Sequence, residues 1–220
     1  MEKYIPYIII GGIVLLAILI LIAIRAAQEA HRRKLGVDGE KKVAAKLKHF
    51  ASIRSFKVIN DLYLPLYDKT TQIDHVLIGF FGLLVIETKN IGGEIYGEPR
   101  KKDWLHIMGK SRYKLYNPLM QNQTHVDCIR HLLGKENIYN VPIESLVVFT
   151  NRKAELYIPK KLPIISLKRL NKFLHQERFA KDNNIDIDKI YEALLKYQIT
   201  DKKIISQHIK NVKEMAKYNK

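Results

Sequence analysis

The sequence predicts a mixed α/β (α+β) domain, a central mixed sheet flanked by helices, preceded by one transmembrane helix. Three observations carry that prediction. Residues 5–24 read IPYIIIGGIVLLAILILIAI without a single charge. Residues 72–79 and 82–90 are two β-rich runs joined around Phe80-Phe81, with a glycine on either side of the join. The order of elements is helix, antiparallel strands, helix, then the apolar run SLVVFT at 145–150, which suits a strand buried on both faces of a mixed sheet.

The first segment has the length and composition of a membrane span. About 20 residues at ~1.5 Å each cross ~30 Å of hydrocarbon, and a helix keeps its backbone hydrogen bonds internal as lipid requires. A cleaved signal peptide would carry a shorter apolar core, about 7–15 residues, ending in small residues at a cleavage site. Here Arg25 follows directly, with Arg32, Arg33 and Lys34 just beyond, whereas Lys3 on the leading flank is offset by Glu2. That asymmetry predicts a single-pass protein of the cell membrane, N-terminus outside and the remainder cytoplasmic. The predicted organisation is an anchor at 1–27, a basic juxtamembrane linker at 28–35, a folded domain at 36–180 and a basic helical segment at 181–220.

Residues 28–50 have helical spacing, with Val37, Val43, Ala44, Leu47 and Phe50 largely on one side. Gly36 and Gly39 are expected to separate this helix from the membrane span. Residues 55–64 read as a strand ended by Pro65. After the hairpin come short strands at 91–97 and 104–108, then a helix at 119–133 introduced by Asn117-Pro118. The strand at 145–150 and a short one at 164–166 follow, with helices at 167–176, 187–197 and 202–218. The lone Cys128 excludes an intramolecular disulfide and disfavours a zinc site built from cysteine pairs.

The hairpin is where chemistry can be placed. A turn centred between Phe80 and Phe81 sets Asp74 opposite Glu87, and side-chain alternation puts Lys89 on the face of Glu87. Facing carboxylates repel, so the pair needs a cation or a proton. Mg²⁺ (or Mn²⁺) fits, being a hard ion that takes one or two carboxylates plus water and phosphate oxygens. Lys89 would then position or deprotonate an attacking water, or neutralise charge developing on phosphorus. The plainer alternative is an exposed Glu–Lys pair at a strand edge, with Asp74 capping a turn.

The formal charge of +16 lies entirely on residues 25–220. Arg100, Lys101, Lys102, Lys110, Arg112 and Lys114 alternate with Tyr96, Trp104, Tyr113 and Tyr116, the ingredients of a sequence-tolerant nucleic-acid groove. The alternative is a solvated, lysine-rich loop. Anionic lipid is a second partner for charge, next to a bilayer entered through residues 5–24. The basic helix at 202–218 has Ile205, Ile209, Val212 and Ala216 at helical spacing and is expected to pack on the domain. Gly109-Lys110-Ser111 imitates the end of a phosphate-binding loop, but Trp104 stands where that loop needs its first glycine.

Six separated pieces carry a resemblance: Gly36-x-x-Gly39-Glu40-x-x-Val43; Thr71-Gln72-Ile73-Asp74-His75-Val76; Gly82-Leu83-Leu84-Val85-Ile86-Glu87-Thr88-Lys89-Asn90; Gly93-x-Ile95-x-Gly97; Trp104; and Asn117-Pro118-Leu119-x-Gln121-Asn122-x-x-His125. In this order they resemble the nuclease-related domain (NERD) family of the PD-(D/E)xK nuclease superfamily. The resemblance implies a restriction-endonuclease-like core and metal-dependent hydrolysis of phosphodiester bonds, with DNA the expected nucleic acid in preference to RNA. It implies Asp74 and Glu87 as metal ligands, Lys89 as the catalytic lysine, and Glu40 as a further acidic member reaching the ion directly or through water. Gln121 would hold substrate or lysine. Ile73 stands where the superfamily has proline, a departure that removes no ligand. The competing functions are a membrane-tethered nucleic-acid-binding module without turnover, or a scaffold on anionic lipid.

Overall fold

The computed structural model describes residues 5–218. Residues 1–4, the leading flank on which the orientation rests, and residues 219–220 lie outside the described residues, as do the side chains of residues 5–12, Arg32, Arg33, Lys213 and residues 215–218. The chain divides into two compact units, Met1–Asp38 and Gly39–Lys220. Helix α1 (Ile5–Ser52) is one element, so Gly36 and Gly39 sit inside a helix and do not end it. A helical glycine costs only about 1 kcal/mol, which good helix formers on either side offset. Gly39 also has a steric reason to be there: a Cβ would stand 2.6 Å from Thr150 Oγ1 and 2.8 Å from Asn90 Cβ.

In the first unit the described apolar residues from Ile13 to Ile24 are largely solvent-exposed, Ile13 at 62%. This is the one helix among the described residues long and apolar enough to cross a membrane, with a mean hydropathy of 2.2 in its most apolar window.

The second unit is built on a five-stranded mixed sheet in the order β1-β2-β3-β7-β9. Strands β1 (Lys57–Leu66), β2 (Lys69–Gly79) and β3 (Gly82–Lys89) form an antiparallel meander, and β7 (Ile143–Phe149) and β9 (Ile164–Ser166) add in parallel. Pro65 lies within β1, paired with Thr70, and does not end it. β1 is an edge strand, where a missing backbone N–H disturbs no ladder. The hairpin pairs Gly79 with Gly82 and His75 with Ile86, the register expected from a turn centred on Phe80-Phe81.

Both sheet faces are covered, which is why Leu83–Ile86 are wholly buried. On one face α2 (Pro118–Lys135) and α4 (Ile187–Lys196) deliver Val126, Ile129, Leu132, Leu133, Ile190 and Leu194 against Ile73, Val76, Leu83 and Val85. Val43, Leu47 and Phe50 of α1, with Leu170 and Leu174 of α3 (Leu170–Leu174), cover Leu77, Leu84, Ile86 and Val148 on the other. Because α4 fills the main core, the boundary expected at 181 is no break in packing. The last helix, α5 (Lys202–Tyr218), touches the domain through His208, whose Nδ1 lies 2.8 Å from Thr70 Oγ1 and whose ring meets Tyr63 edge-on. Ile209 and Val212 stay exposed, so only part of the expected apolar stripe packs on the domain.

Three strands of a second, four-stranded sheet lie in the crossover between β3 and β7, and the fourth follows β7. Its order is β6-β5-β4-β8, from β4 (Gly93–Tyr96), β5 (Asp103–Met108), β6 (Ser111–Tyr116) and β8 (Ala154–Tyr157). The segment read from sequence as a cationic loop is therefore largely a β-hairpin, turning at Gly109 with φ +61°. Trp104 is 2% exposed and packs with Ile95, Val147 and Phe149. Its Nε1 donates to Glu98 O at 2.9 Å, and a Cβ on Gly97 would come within 2.1 Å of the indole. Gly97→Ala should therefore cost about 1–3 kcal/mol, read as a lower midpoint in denaturant unfolding of the full chain; an unchanged midpoint would contradict the packing.

Candidate active site

Asp74, Glu87, Lys89 and Gln121 meet towards the end of the main sheet where β3 finishes, beside the start of α2. Pairing along β1 and β2 passes from Asn60↔His75 to Leu62↔Ile73, skipping Asp61, whose φ is +53°. The apolar alternation shifts there by one residue, so Ile73 and Val76 belong to the same core. Such local irregularities re-aim side chains. At this point Asp74 reaches across the hairpin, its Oδ2 accepting the Thr88 backbone N–H at 2.7 Å.

Glu87 is 2% exposed and held on both oxygens. Lys89 Nζ donates to Oε1 at 2.6 Å, and His125 Nε2 lies 3.3 Å from Oε2. Lys89 also donates to Gln121 Oε1 at 2.9 Å, and His125 Nδ1 lies 2.9 Å from Thr71 Oγ1. An ionised carboxylate only accepts, so a neutral His125 would carry its proton on Nε2 and accept at Nδ1 from the Thr71 hydroxyl. Gln121 and His125 are four residues apart on α2 and point the same way. That helix is fixed by Asn117, whose Oδ1 accepts the Leu119 N–H, and by buried Asn122, which donates to Val85 O, Leu146 O and Ser145 Oγ. His75 plays no part here: it is buried, bonded to Asn60 Oδ1, and burial pulls its pKa down to about 4.

The electrostatics are uneven. Burial first, then the Glu87 charge and more weakly Glu40, push the Asp74 carboxyl well above the carboxylate range; the Thr88 N–H and Lys89 oppose this. Burial would raise Glu87 too, but Lys89 and His125 outweigh it and hold Glu87 low. Burial would lower Lys89, yet Glu87, Asp74 and Glu40 together raise it, so Lys89 is an ammonium at neutral pH. Glu40 is raised by burial, Asp61 and Glu87, with Lys89 opposing. Tyr63, beside the same acids, is pushed up to about 12 by burial, Asp61, Glu40 and Asp74.

Asp74, Glu87, Lys89 and Gln121 are thus brought together, with Glu40 within electrostatic reach. Asp61, Tyr63 and Thr71 were missed as site neighbours; the signal for Asp61 was Asn60-Asp61 inside a strand, a pair poorly suited to regular β-structure.

The expected nucleic-acid residues are divided. The loop carrying Arg100, Lys101 and Lys102 is stapled to the start of α2: Asn117 Nδ2 donates to Pro99 O and Lys101 O, and its N–H to Lys102 O. Lys110 sits in the β5–β6 turn. Arg112 and Lys114 face one side of β6 and Tyr113 the other, next to His106. Trp104 is buried and offers no face for base stacking. The eight residues therefore do not line one groove.

A family model described as nuclease-related domain matches residues 35–150, more than half of the chain. The chain belongs to the nuclease-related domain family. A relative, an uncharacterized protein of Bacillus anthracis, is 28% identical over 200 residues, covering 89% of this chain and 92% of that protein. No solved structure matches significantly.

Membership in that family supports a divalent metal, and the donor set can be tested against it. Among the described residues no three carboxylate, imidazole or thiol side chains form a ready-made cage. Mg²⁺ does not require one, since it keeps several waters and commonly takes one or two carboxylates. Asp74 and Glu87 on neighbouring strands supply two such carboxylates, with Glu40 within electrostatic reach only.

The pair predicts opposite pH behaviour without metal. The Asp74 pKa is raised above its ordinary value of 3.8, so its ionisation destabilises the fold increasingly as pH climbs above that value. Glu87 lies below its ordinary value of 4.5, so its contribution is present above that value and is lost as pH falls. Asp74→Asn should raise the metal-free thermal midpoint, by a margin that widens from about pH 4 to pH 7, while Glu87→Gln should lower it over the same range. Equal effects of the two substitutions would contradict the assignment.

Proposed function

We propose that this protein is a membrane-anchored, metal-dependent nuclease that hydrolyses phosphodiester bonds, DNA being its expected substrate. The observation that carries the reading is the buried Lys89–Glu87 pair beside an Asp74 carboxyl with no counter-charge of its own. Asp74 and Glu87 would hold Mg²⁺ or Mn²⁺, with Glu40 reaching it directly or through water; the ion, when bound, supplies Lewis acidity and lowers the pKa of water.

The side chains divide the remaining work. Lys89 is already protonated, so it acts as a charged donor that orients the attacking water and offsets negative charge growing on phosphorus, rather than as the base. Gln121 holds its ammonium from one side and Glu87 from the other, which fixes its direction. His125, braced by Thr71, contacts Glu87 Oε2 and so restrains the direction of that carboxylate. The loop of Arg100, Lys101 and Lys102, pinned one turn above Gln121, supplies phosphate contacts.

The apolar helix supports anchoring through residues 5–24, and the cations after it support an N-terminus outside and a cytoplasmic domain. The chain should remain with membranes after alkaline carbonate extraction; release into the supernatant would contradict the span.

Activity is tested with the full chain in detergent on linear, supercoiled and single-stranded DNA and on RNA, with Mg²⁺ or Mn²⁺. Cleavage is expected, with Asp74→Asn and Lys89→Met slowing it by roughly 100-fold or more. Arg100→Ala should weaken substrate binding evenly across sequences and reduce its salt dependence by about one ion. No cleavage of any substrate, or wild-type rates in both active-site variants, would overturn the nuclease reading; retained salt-dependent binding would then mark a binding module.

A further inference from the structure

The outer face of the second sheet is exposed, and its charges are sorted by strand. Cross-strand pairing aligns its outward side chains in two rows. One row runs Lys114, Leu105, Tyr96, Tyr157 from β6 to β8; the next runs Arg112, Ile107, Glu94, Glu155. The β6 edge is therefore cationic, the β4–β8 half acidic and the middle apolar. Leu105 is 38% exposed and Tyr157 51%. The Tyr96 and Tyr157 rings stack on each other at 4.5 Å, and each hydroxyl donates to the carboxylate of its own strand, Glu94 and Glu155. This leaves a flat, pre-ordered apolar surface bordered by opposite charges.

We propose that this face docks a second copy of the chain, forming a two-fold dimer with the two sheets packed face to face. The charge pattern selects both the occupant and the axis. A polyanion would meet Glu94, Glu155 and Asp103 on the same face as Arg112 and Lys114, so nucleic acid is a poor match. A second copy matches, because a two-fold axis parallel to the strands lays the β6 edge of each sheet on the β8 edge of the other while keeping the rows aligned. Arg112 then meets the partner's Glu155, twice by symmetry, and Leu105 meets the partner's Tyr96. An axis perpendicular to the strands would set Arg112 and Lys114 against their own copies, which repel. Aligned packing, within about 30°, is a normal geometry for twisted sheets.

The face is small. Four strands ~4.8 Å apart and about four residues long give roughly 250 Å² in plan, well under the ~800 Å² per partner of a typical stable complex. The dimer is accordingly weak and concentration-dependent, and confinement of both copies to one bilayer would raise its occupancy. The proposal rests on the sheet alone and stands whether or not the site cleaves nucleic acid.

The test is sedimentation velocity of the full chain in detergent across a concentration series, with a charge swap. Arg112→Glu and Glu155→Arg are exposed changes and should leave the thermal midpoint unaltered. Each alone should weaken self-association by about tenfold or more, since like charges then face each other. An equimolar mixture of the two variants should return to near wild-type association, because both contacts are restored in the mixed pair. A wild-type chain that stays monomeric up to about 100 μM, far above typical specific affinities, would overturn the proposal. So would failure of the mixture to recover, or dimers insensitive to both changes, as association through the apolar helix would give. Arg112→Glu weakening oligonucleotide binding while association is unchanged would assign the face to nucleic acid instead.

Discussion

The acidic end of the main sheet holds more carboxylates than the surrounding chain neutralises. Glu87 and Glu40 both raise Asp74, Asp61 and Glu87 raise Glu40, and Lys89 is the lysine that opposes them. Lys89 contacts Glu87 at 2.6 Å, and its weaker influence on Asp74 leaves that carboxyl raised. Asp74 is left to keep a proton or to accept another cation. The setting of Asp74 sharpens this choice, because burial and the neighbouring Glu87 charge both disfavour its ionised form. A buried ion pair contributes little net stability and is better understood as orienting its members. Here the oriented group is the Lys89 ammonium, fixed between Glu87 and Gln121.

Much of this was legible in the sequence, for identifiable reasons. Glycines on either side of Phe80-Phe81 fixed the turn, and the turn fixed the register that pairs His75 with Ile86, next to which Asp74 accepts the Thr88 N–H. Asn117-Pro118 marked the start of the helix that carries Gln121, since asparagine caps and proline suits the first turn. Asp61 and Tyr63 were hidden because their closeness to Asp74 depends on a positive φ within β1, which no spacing rule anticipates. Strand β6 was hidden by its charges: Arg112 and Lys114 alternate with Tyr113 and Leu115 as a strand should, but two cations in six residues resembled a solvated loop. Trp104 looked like a stacking platform because sequence gives an aromatic ring its chemistry but not its burial.

The positive charge also resolves into distinct tasks. The loop carrying the cations at 100–102 is pinned by Asn117 to the start of α2, one turn before Gln121. Arg112 and Lys114 belong to the far face of another sheet, balanced by Glu94 and Glu155 on its opposite half. Net charge alone would have assigned all of these residues to one polyanion.

The central claim is that Asp74 is a carboxyl waiting for a divalent ion, and calorimetric titration of the metal-free full chain with Mn²⁺ tests it most directly. At about pH 6, in two buffers of different ionisation enthalpy, the account predicts one ion per chain bound with net proton release, and loss of that release in Asp74→Asn. Absence of binding, or binding with no proton released and no dependence on Asp74, would contradict it.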